Sequence, residues 1–258
     1  MFEVITEDEI QQLKPFRFTT KEDFSHLSIP VIDLLDDRTL LNYLEKIGVR
    51  IGSPSLKVTA SIFIKRYAFL AAIYLYSISS WNKKIDISFT HIKLQTDEAA
   101  NGWIPTFYFD HTKLEWARDE RYEWREEAIQ AFFAKHVDPL VVQLSRLTKL
   151  SKLVLWENIA IYIFWLYESI LLKSDSEEVR ERAKKDFHYL VKEAPGNLFG
   201  DYDENPIKRY FVPKRYIGHL KEEVRVRETC CFSYLLESSP KRCKTCPHIC
   251  KIKNETPI

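Results

Sequence analysis

The sequence predicts an α+β fold that is predominantly helical, with a central helix bundle, a small antiparallel β element and a cysteine-rich C-terminal tail. Glycine is scarce, with 6 residues in 258, and aromatic residues make up 14% of the chain, which favours long helices and a solid core. Several long apolar segments have helical character, whereas a stretch near residue 84 alternates apolar and polar residues. We expect an N-terminal α/β region over 1–115, a helical bundle over 116–213 and a C-terminal segment over 214–258.

The N-terminal region is expected to start with short helices. Asp36 and Asp37 are suited to cap the helix that follows them, because a short acidic side chain accepts hydrogen bonds from the free N–H groups of a first turn. The Ser-Pro-Ser stretch at 53–55 precedes a long helix predicted over 56–79. Apolar residues nearly surround the axis of that helix, so we place it at the centre of the fold.

Strands are expected between residues 84 and 111. The stretch 84–95 alternates apolar and polar side chains, which is typical of a half-buried strand. The stretch 103–111 is aromatic and β-prone, and Asn101 and Gly102 before it form a turn signal. The two stretches therefore predict a hairpin or neighbouring strands.

Three helices are predicted between the strands and the C-terminal tail, over 119–149, 151–173 and 175–193. The first is expected to break at Asp138 and Pro139, because a proline disfavours helical conformation at the residue before it. We find no internal repeat and no low-complexity tract.

The segment 153–172 is about as long as a membrane span. It contains Glu157 and Glu168, and its longest uncharged run, 159–167, is too short to cross a bilayer. We interpret it as a buried core helix, and we expect no membrane span in the chain.

Charge and composition exclude several classes of protein. The chain has 38 Lys and Arg against 37 Asp and Glu, a balance that gives no general attraction to nucleic acid or to anionic membranes. The N-terminal residues MFEVITEDEI are acidic and lack the basic and apolar regions of a signal peptide. The sequence therefore predicts a cytoplasmic protein in a reducing environment, where clustered cysteines more often bind metal than form disulfides.

All five cysteines lie between residues 230 and 250, after 229 residues without one. Cys230 and Cys231 are adjacent, and Cys243 and Cys246 form a C-x-x-C turn that can bring two thiolates to one metal site. Adjacent side chains in an extended strand point to opposite faces, so both can reach one site only if the backbone bends or the site is wide. Cys250 is the fifth cysteine and the one least needed for a four-ligand site.

Several kinds of site are compatible with this spacing. A [2Fe–2S] cluster takes four cysteine ligands and is wider than a single ion. A structural zinc site also takes four thiolates, but its usual spacing repeats C-x2–4-C twice. A redox disulfide at Cys243 and Cys246 lacks the early strand–helix context of such motifs, and covalent haem is excluded because Pro247 stands where histidine is required. The spacing favours the iron–sulfur cluster and leaves zinc open.

The cysteine pattern, with adjacent cysteines followed by Cys-x-x-Cys-Pro, resembles the ferric-siderophore reductases of the FhuF type. The matching residues are Arg227, Cys230, Cys231, Tyr234, Cys243, Cys246 and Pro247. The stretch 53–68 and the Trp-Glu-Asn sequence at 156–158 are also similar to that family. The spacer of eleven residues between the cysteine pairs, where ten are expected, and the extra Cys250 depart from its pattern.

This resemblance implies a cytosolic enzyme that carries one [2Fe–2S] cluster on Cys230, Cys231, Cys243 and Cys246. Such an enzyme passes an electron to Fe(III) held by an imported siderophore of the hydroxamate or citrate-hydroxamate type, and Fe(II) is released. A ferredoxin-like protein is the expected electron donor, since the chain has neither a dinucleotide fingerprint nor a P-loop.

Residues outside the four cysteines are candidates for supporting roles. Lys57, Lys65, Arg66 and Trp103 are candidate substrate-binding residues, because positive and aromatic side chains suit an anionic, oxygen-rich chelate. Arg227 is a candidate for tuning the cluster through its charge. Two alternatives remain at this point: a zinc-stabilised siderophore-binding protein without redox chemistry, and an iron or redox sensor.

Overall fold

The computed structural model describes residues 2–97, 99, 102–237 and 240–252. The fold is α+β and mostly helical. The helices are Glu7–Leu13 (α1), Asp37–Ile51 (α2), Leu56–Tyr67 (α3), Phe69–Trp81 (α4), Arg121–Phe132 (α5), Asp138–Thr148 (α6), Lys152–Trp165 (α7), Glu177–His188 (α8) and Pro247–Ile252 (α9). The strands are Phe2–Val4 (β1), Phe18–Thr19 (β2), Ile29–Pro30 (β3), Lys83–Ile85 (β4), Ile92–Gln95 (β5), Thr106–Phe109 (β6), Lys113–Trp116 (β7), Arg215–Ile217 (β8) and Glu222–Val224 (β9).

The strands form three small sheets, in the orders β1-β7-β4, β2-β6-β5-β3 and β8-β9. The predicted pairing of the two stretches is confirmed, since β5 and β6 run antiparallel with Ile92 opposite Phe109. The single strand expected over 84–95 is wrong, because β4 ends at Ile85 and pairs with β7 in another sheet. Asp86 accepts a hydrogen bond of 2.9 Å from the N–H of Ser88, and this turn separates β4 from β5. The predicted turn residue Asn101 lies outside the described residues, while Gly102 has a positive φ of 78°.

The predicted central helix is present, but as two helices with Ala68 between them. Ser55 caps α3 as expected, because its side chain accepts a hydrogen bond from the N–H of Val58. The Ala68 N–H is shared between the carbonyl groups of Ile64 and Arg66, which tightens the chain before α4 continues to residue 81. Asp36 likewise caps α2, accepting from the N–H of Thr39 at 2.8 Å.

The helical bundle follows the predicted spans closely. Residues 121–148 are continuously helical, and the expected break before Pro139 takes the form of a π-helical turn over 133–137. A proline lacks the N–H that an α-helix needs, and the wider turn absorbs that loss without ending the helix. α7 and α8 also end in π-helical turns.

Two helical spans, Leu56–Trp81 and Lys152–Lys173, are long and apolar enough to cross a membrane by length and composition. In the folded chain 83% and 61% of their most apolar windows are buried, so both spans form the centre of the protein core.

The core consists of one large apolar cluster and one small one. The large cluster unites α2 to α8 with the four-stranded sheet. The small cluster lies in the C-terminal segment and contains Ile217, Val224 and Cys250, with Leu220 and Val226 packed against them. The C-terminal segment thus has little apolar core of its own, and polar contacts to α3 and α7 attach much of it to the body of the fold.

Candidate metal centre

The chain bends sharply immediately after the adjacent cysteines. Phe232 has a left-handed backbone, with φ 59° and ψ 7°, which is uncommon for a bulky side chain. Its N–H donates a hydrogen bond of 3.4 Å to the Sγ atom of Cys230. This bend turns the chain immediately after the adjacent cysteines, and its backbone N–H contacts the thiol of the first of them.

Thiols from the two halves of the motif meet at this bend. The Sγ atoms of Cys231 and Cys243 lie 3.8 Å apart, a separation suited to two thiolates about 2.3 Å from a shared metal. Cys230 is close enough to Cys246 to be affected by it: burial first, and then the neighbouring Cys231 and Cys246, raise the pKa of the Cys230 thiol.

The thiols are spread more widely than the ligands of one ion. Four thiolates around one zinc would all lie within about 4 Å of one another. In the part of the chain that the structure describes, no three cysteine Sγ atoms lie within 4.8 Å of one another. A centre with two irons spreads its four ligand positions over a wider area than one tetrahedral ion does.

The C-x-x-C turn leads directly into α9. The N–H of Cys246 donates to the carbonyl of Cys243 at 3.0 Å, and the N–H of Cys250 donates to the carbonyl of Cys246 at 3.0 Å. The thiol of Cys250 donates to the carbonyl of Lys244 at 3.4 Å. Cys250 is also 98% buried in the small apolar cluster, so its side chain packs in a different environment from the other four cysteines.

A buried carboxylate on α7 holds the segment that precedes the cysteines. Glu157 accepts hydrogen bonds from the N–H groups of Glu228 and Thr229, at 2.6 and 2.9 Å, and from the Thr229 hydroxyl. Its side chain is 2% exposed and lies 3.3 Å from the guanidinium of Arg227, which is 1% exposed. A charge buried in this way needs such partners, because an unpaired one would be strongly destabilising.

A second chain of hydrogen bonds connects α7, α3 and the cysteines themselves. Arg227 donates to the Oδ1 atom of Asn158 at 2.7 Å, and the amide of Asn158 donates to the Ser61 hydroxyl at 2.9 Å. The Ser61 hydroxyl donates to the carbonyl of Cys231 at 2.8 Å. The two helices thereby fix the backbone of a candidate ligand.

Positive charge surrounds the thiols. The Nζ atom of Lys65 lies 4.0 Å from the Sγ atom of Cys231, and an Nη atom of Arg242 lies 3.9 Å from that of Cys246. The hydrogen bond with Cys243, followed by the charges of Lys65 and Arg227, lowers the pKa of the Cys231 thiol against the opposing effect of burial. This environment favours the thiolate form that binds metal.

One donor near the thiols has no partner among the described residues. The Nη1 atom of Arg227 is buried without a hydrogen bond. The charge of this side chain contributes to the lowered pKa of the Cys231 thiol, whereas the hydrogen bond with Cys231, and then burial, raise the pKa of Cys243. A buried, unsatisfied guanidinium N–H is costly, and an acceptor such as a cluster sulfur would satisfy it. This orphan donor is a second observation that fits an iron–sulfur centre.

The four predicted substrate residues lie in different settings. Lys57 is exposed in the first turn of α3, while Lys65 and Arg66 are half-buried in its last turn. Trp103 is fully buried and stacks on Phe63, with ring centroids 5.7 Å apart. The structure thus places Lys65 beside the cysteines and Lys57 on the surface. Trp103 belongs to the core, and its ring centroid lies 5.8 Å from the guanidinium carbon of Arg66.

A further group of possible ligands lies on the four-stranded sheet. His91, Asp110 and His111 have ligand atoms within 4.8 Å of one another and are half-buried or exposed. His91 and Asp110 are hydrogen-bonded at 2.9 Å, which accounts for their proximity without a metal.

The sequence did not single out Ser61 or the role of Glu157. Ser61 lies in an apolar helix, where nothing marks one hydroxyl as a ligand to a distant carbonyl. Glu157 carried a signal, because an acidic residue inside an apolar helix requires a buried partner. That partner is 70 residues away in sequence, and only the folded chain brings the two together.

Clustered thiols on a mostly helical body, with a buried arginine in the segment that carries them, are the features of a cysteine-ligated metal protein. Residues 61–216, more than half of the chain, match the family model described as ferric iron reductase FhuF-like transporter. Residues 227–248 match the FhuF 2Fe-2S C-terminal domain. The chain therefore belongs to the FhuF-like ferric iron reductase family and carries a [2Fe–2S] cluster. A comparison with characterised proteins found no match.

Proposed function

We propose that this protein is a cytosolic ferric-siderophore reductase, which gives one electron to siderophore-bound Fe(III) and so releases Fe(II). The observation that carries the proposal is the contact between Lys65 and Cys231. It puts a cationic, half-buried helix end beside the cysteines, where an anionic chelate can approach the centre.

The ligands we assign to the cluster are Cys230, Cys231, Cys243 and Cys246. The 3.8 Å contact between Cys231 and Cys243 supports these two as ligands of the same iron. Cys250 is left out of the ligand set, because its thiol already donates to a backbone carbonyl and packs in the small apolar cluster.

The [2Fe–2S] cluster supplies a centre that accepts and gives up one electron at a time. The residues around it hold it in place and attract the substrate: Arg227 offers a hydrogen bond and a positive charge, and Lys65 adds a second charge on the side of α3. An Fe(III) ion that gains the electron becomes Fe(II), which hard oxygen ligands hold less tightly.

An external donor must restore the electron after each turnover. The chain has no sequence motif for a dinucleotide or a nucleotide phosphate. We therefore assign the donor to a small one-electron protein of the ferredoxin type.

Anaerobic stopped-flow spectroscopy tests this function. The purified protein is reduced with one equivalent of dithionite, freed of excess reductant, and mixed with ferric hydroxamate and ferric citrate-hydroxamate chelates. We expect the oxidised cluster spectrum to return while an Fe(II)-specific dye reports one Fe(II) per cluster. Stable reduced protein in the presence of every chelate would contradict the proposal and favour a sensor.

A further inference from the structure

Two arginines, one of them the predicted substrate residue Arg66, have no carboxylate partner among the described residues. Arg17 follows a 3-10 turn after α1, and Arg66 lies in the last turn of α3. Within the described ranges, neither guanidinium forms an ion pair, and the Nη1 atom of each is buried without a hydrogen bond. Surface arginines are ordinarily solvated, so two half-buried ones with orphan donors require an explanation.

Both arginines lie beside Phe69. The guanidinium of Arg17 lies over the Phe69 ring, and Arg66 precedes Phe69 by three residues in the continuous helical span Leu56–Trp81, so the two side chains share one face of the helix. Burial first, and then the charge of Arg17, lower the pKa of Arg66 to about 10, and burial lowers the pKa of Arg17 as well. The positive charges repel across a poorly solvated space, and no acidic side chain of the described residues neutralises them. An anionic ligand would remove this repulsion and satisfy both donors.

Aromatic rings form the walls of this place. The guanidinium carbon of Arg17 lies 3.9 Å from the ring centroid of Phe69, and the ring of Phe69 packs against Tyr162 at 4.7 Å and Trp165 at 6.0 Å. Flat apolar surfaces next to fixed positive charges suit a ligand with an organic scaffold and anionic oxygens.

The backbone at Arg17 is held in an uncommon conformation. Its φ is 68°, in the left-handed region that non-glycine residues seldom occupy. The N–H of Phe107 donates to the Arg17 carbonyl at 2.7 Å and ties this turn to strand β6. Such conformations persist where the surrounding structure enforces them, and they are frequent at ligand sites.

The arginine pair is adjacent to the cysteines. Lys65, the residue before Arg66, contacts the Sγ atom of Cys231 at 4.0 Å. On the facing helix, Asn158 donates to Ser61, and Tyr162, one turn further on, packs against Phe69. Phe69, which carries Arg17 on its ring, therefore lies about one helical turn beyond the network that fixes the cysteine segment.

Resting on the proposed function, we propose that Arg17 and Arg66, walled by Phe69, Tyr162 and Trp165, bind the ferric chelate through its free carboxylate groups. The protein then prefers anionic, carboxylate-bearing chelates of the citrate-hydroxamate class over neutral trihydroxamates, because a neutral chelate leaves the two guanidinium groups uncompensated.

Gallium(III) complexes test the site separately from electron transfer, since gallium(III) replaces Fe(III) in such chelates and is not reduced under these conditions. Isothermal titration of the oxidised holoprotein compares a gallium citrate-hydroxamate carrying a free carboxylate with a neutral gallium trihydroxamate. We expect the anionic complex to bind at least about tenfold more tightly, as the loss of one charge-assisted hydrogen bond predicts, and to weaken as salt is raised.

Matched variants locate the site. Arg17→Gln and Arg66→Gln should each weaken binding of the anionic complex by about tenfold or more, the usual effect of removing a charged donor. Binding of the neutral complex should stay nearly unchanged. Arg38→Gln, on the exposed surface of α2, removes the same charge elsewhere and should have no effect on either complex.

Stability separates a binding role from a structural one. Because Arg66 has no partner and is repelled by Arg17, the midpoint of urea unfolding of Arg66→Gln should equal or exceed that of the wild type. A clear loss of stability, equal affinity of the two gallium complexes, no binding of either, or unaltered binding by both variants would each overturn the inference.

The arginine site and the reductase activity can be disproved separately. If the reduced protein does not transfer its electron to ferric chelates while the gallium complex binds at the arginines, the site stands and the reductase activity does not. If electron transfer proceeds with unchanged substrate dependence in both arginine variants, the activity stands and the site does not.

Discussion

Cys243 and Cys250 lie seven residues apart in the chain but have different surroundings. The thiol of Cys250 is occupied by a backbone carbonyl and apolar neighbours, whereas that of Cys243 contacts Cys231. Two residues of the same type thus lie in different environments, and the thiol that contacts another thiol is the better placed of the two to share a metal.

Single serine substitutions test this difference. We expect Cys243→Ser to abolish the visible absorption and acid-labile sulfide of the anaerobically purified protein, because a [2Fe–2S] cluster requires four good ligands. Cys250→Ser should retain both and lose about 1 kcal/mol of stability, in the range of a small buried substitution. A colourless Cys250→Ser protein would show that the ligand set has been assigned wrongly.

At the scale of single residues, the sequence predicted the cofactor but not the residues that hold the cysteine segment in place. The spacing of the cysteines indicated the cofactor, since few sites use adjacent cysteines. It did not indicate Ser61, Asn158 or Arg17, because each acts through a contact with a residue that is far away along the chain.

Helix α7 joins the body of the protein to the cysteine segment. Glu157 and Asn158 on one turn bind residues 227–229, and Glu168 beyond its end is bound by Arg225 and Lys214, at 2.7 and 2.8 Å. The apolar sequence of this helix predicted burial correctly. Glu157 and Glu168, the acidic residues that argued against a membrane span, bind residues of the C-terminal segment.

Replacement of Glu157 tests that attachment. Glu157→Gln leaves Arg227 buried without its ion pair, and we expect the free energy of unfolding to fall by about 3 kcal/mol, as for a broken buried pair. The cluster should also be lost faster to a chelator, because the segment 227–231 is no longer fixed. The measurements are urea unfolding and the rate of bleaching with an iron chelator.

The control for this variant is Glu181→Gln, an exposed change of the same chemistry on α8. It should leave both the stability and the bleaching rate as in the wild type. An equal effect of the two substitutions, or a Glu157→Gln protein that keeps its cluster as firmly as the wild type, would contradict the role of α7.

Elements of regular structure were predicted more reliably than their boundaries. The three bundle helices and the β5–β6 pair were found from periodicity alone. The sequence did not predict that the long helix divides into α3 and α4 at Ala68, or that β4 belongs to a separate sheet. Both features depend on neighbours from other parts of the chain. The strands β1 to β3 are two or three residues long, which is too short for a pattern.

The whole molecule has two parts with unequal cores. The large apolar cluster extends over most of the helices, while the C-terminal segment adds a few apolar residues around Cys250. The cluster is carried by that segment, and a metal centre that binds only the folded form adds its binding energy to stability.

Removal of the cluster should therefore affect the two parts differently. In hydrogen exchange followed by mass spectrometry, we expect peptides covering 227–252 to lose protection in the cluster-free protein. Peptides from α3 and α4 should remain protected, because their core does not include the cysteines. Uniform loss of protection would show instead that the whole fold depends on the metal.

The order of these parts along the chain bears on how the protein matures in a cell. The helices that build the main core all precede Cys230, so they can pack before any ligand thiol has been synthesised. The finished face of α3 and α7 can then receive the tail, and assembly of the iron–sulfur centre becomes the last step of biogenesis. In a cell short of iron we expect a precursor with a folded main core, ready to receive its cluster without new synthesis.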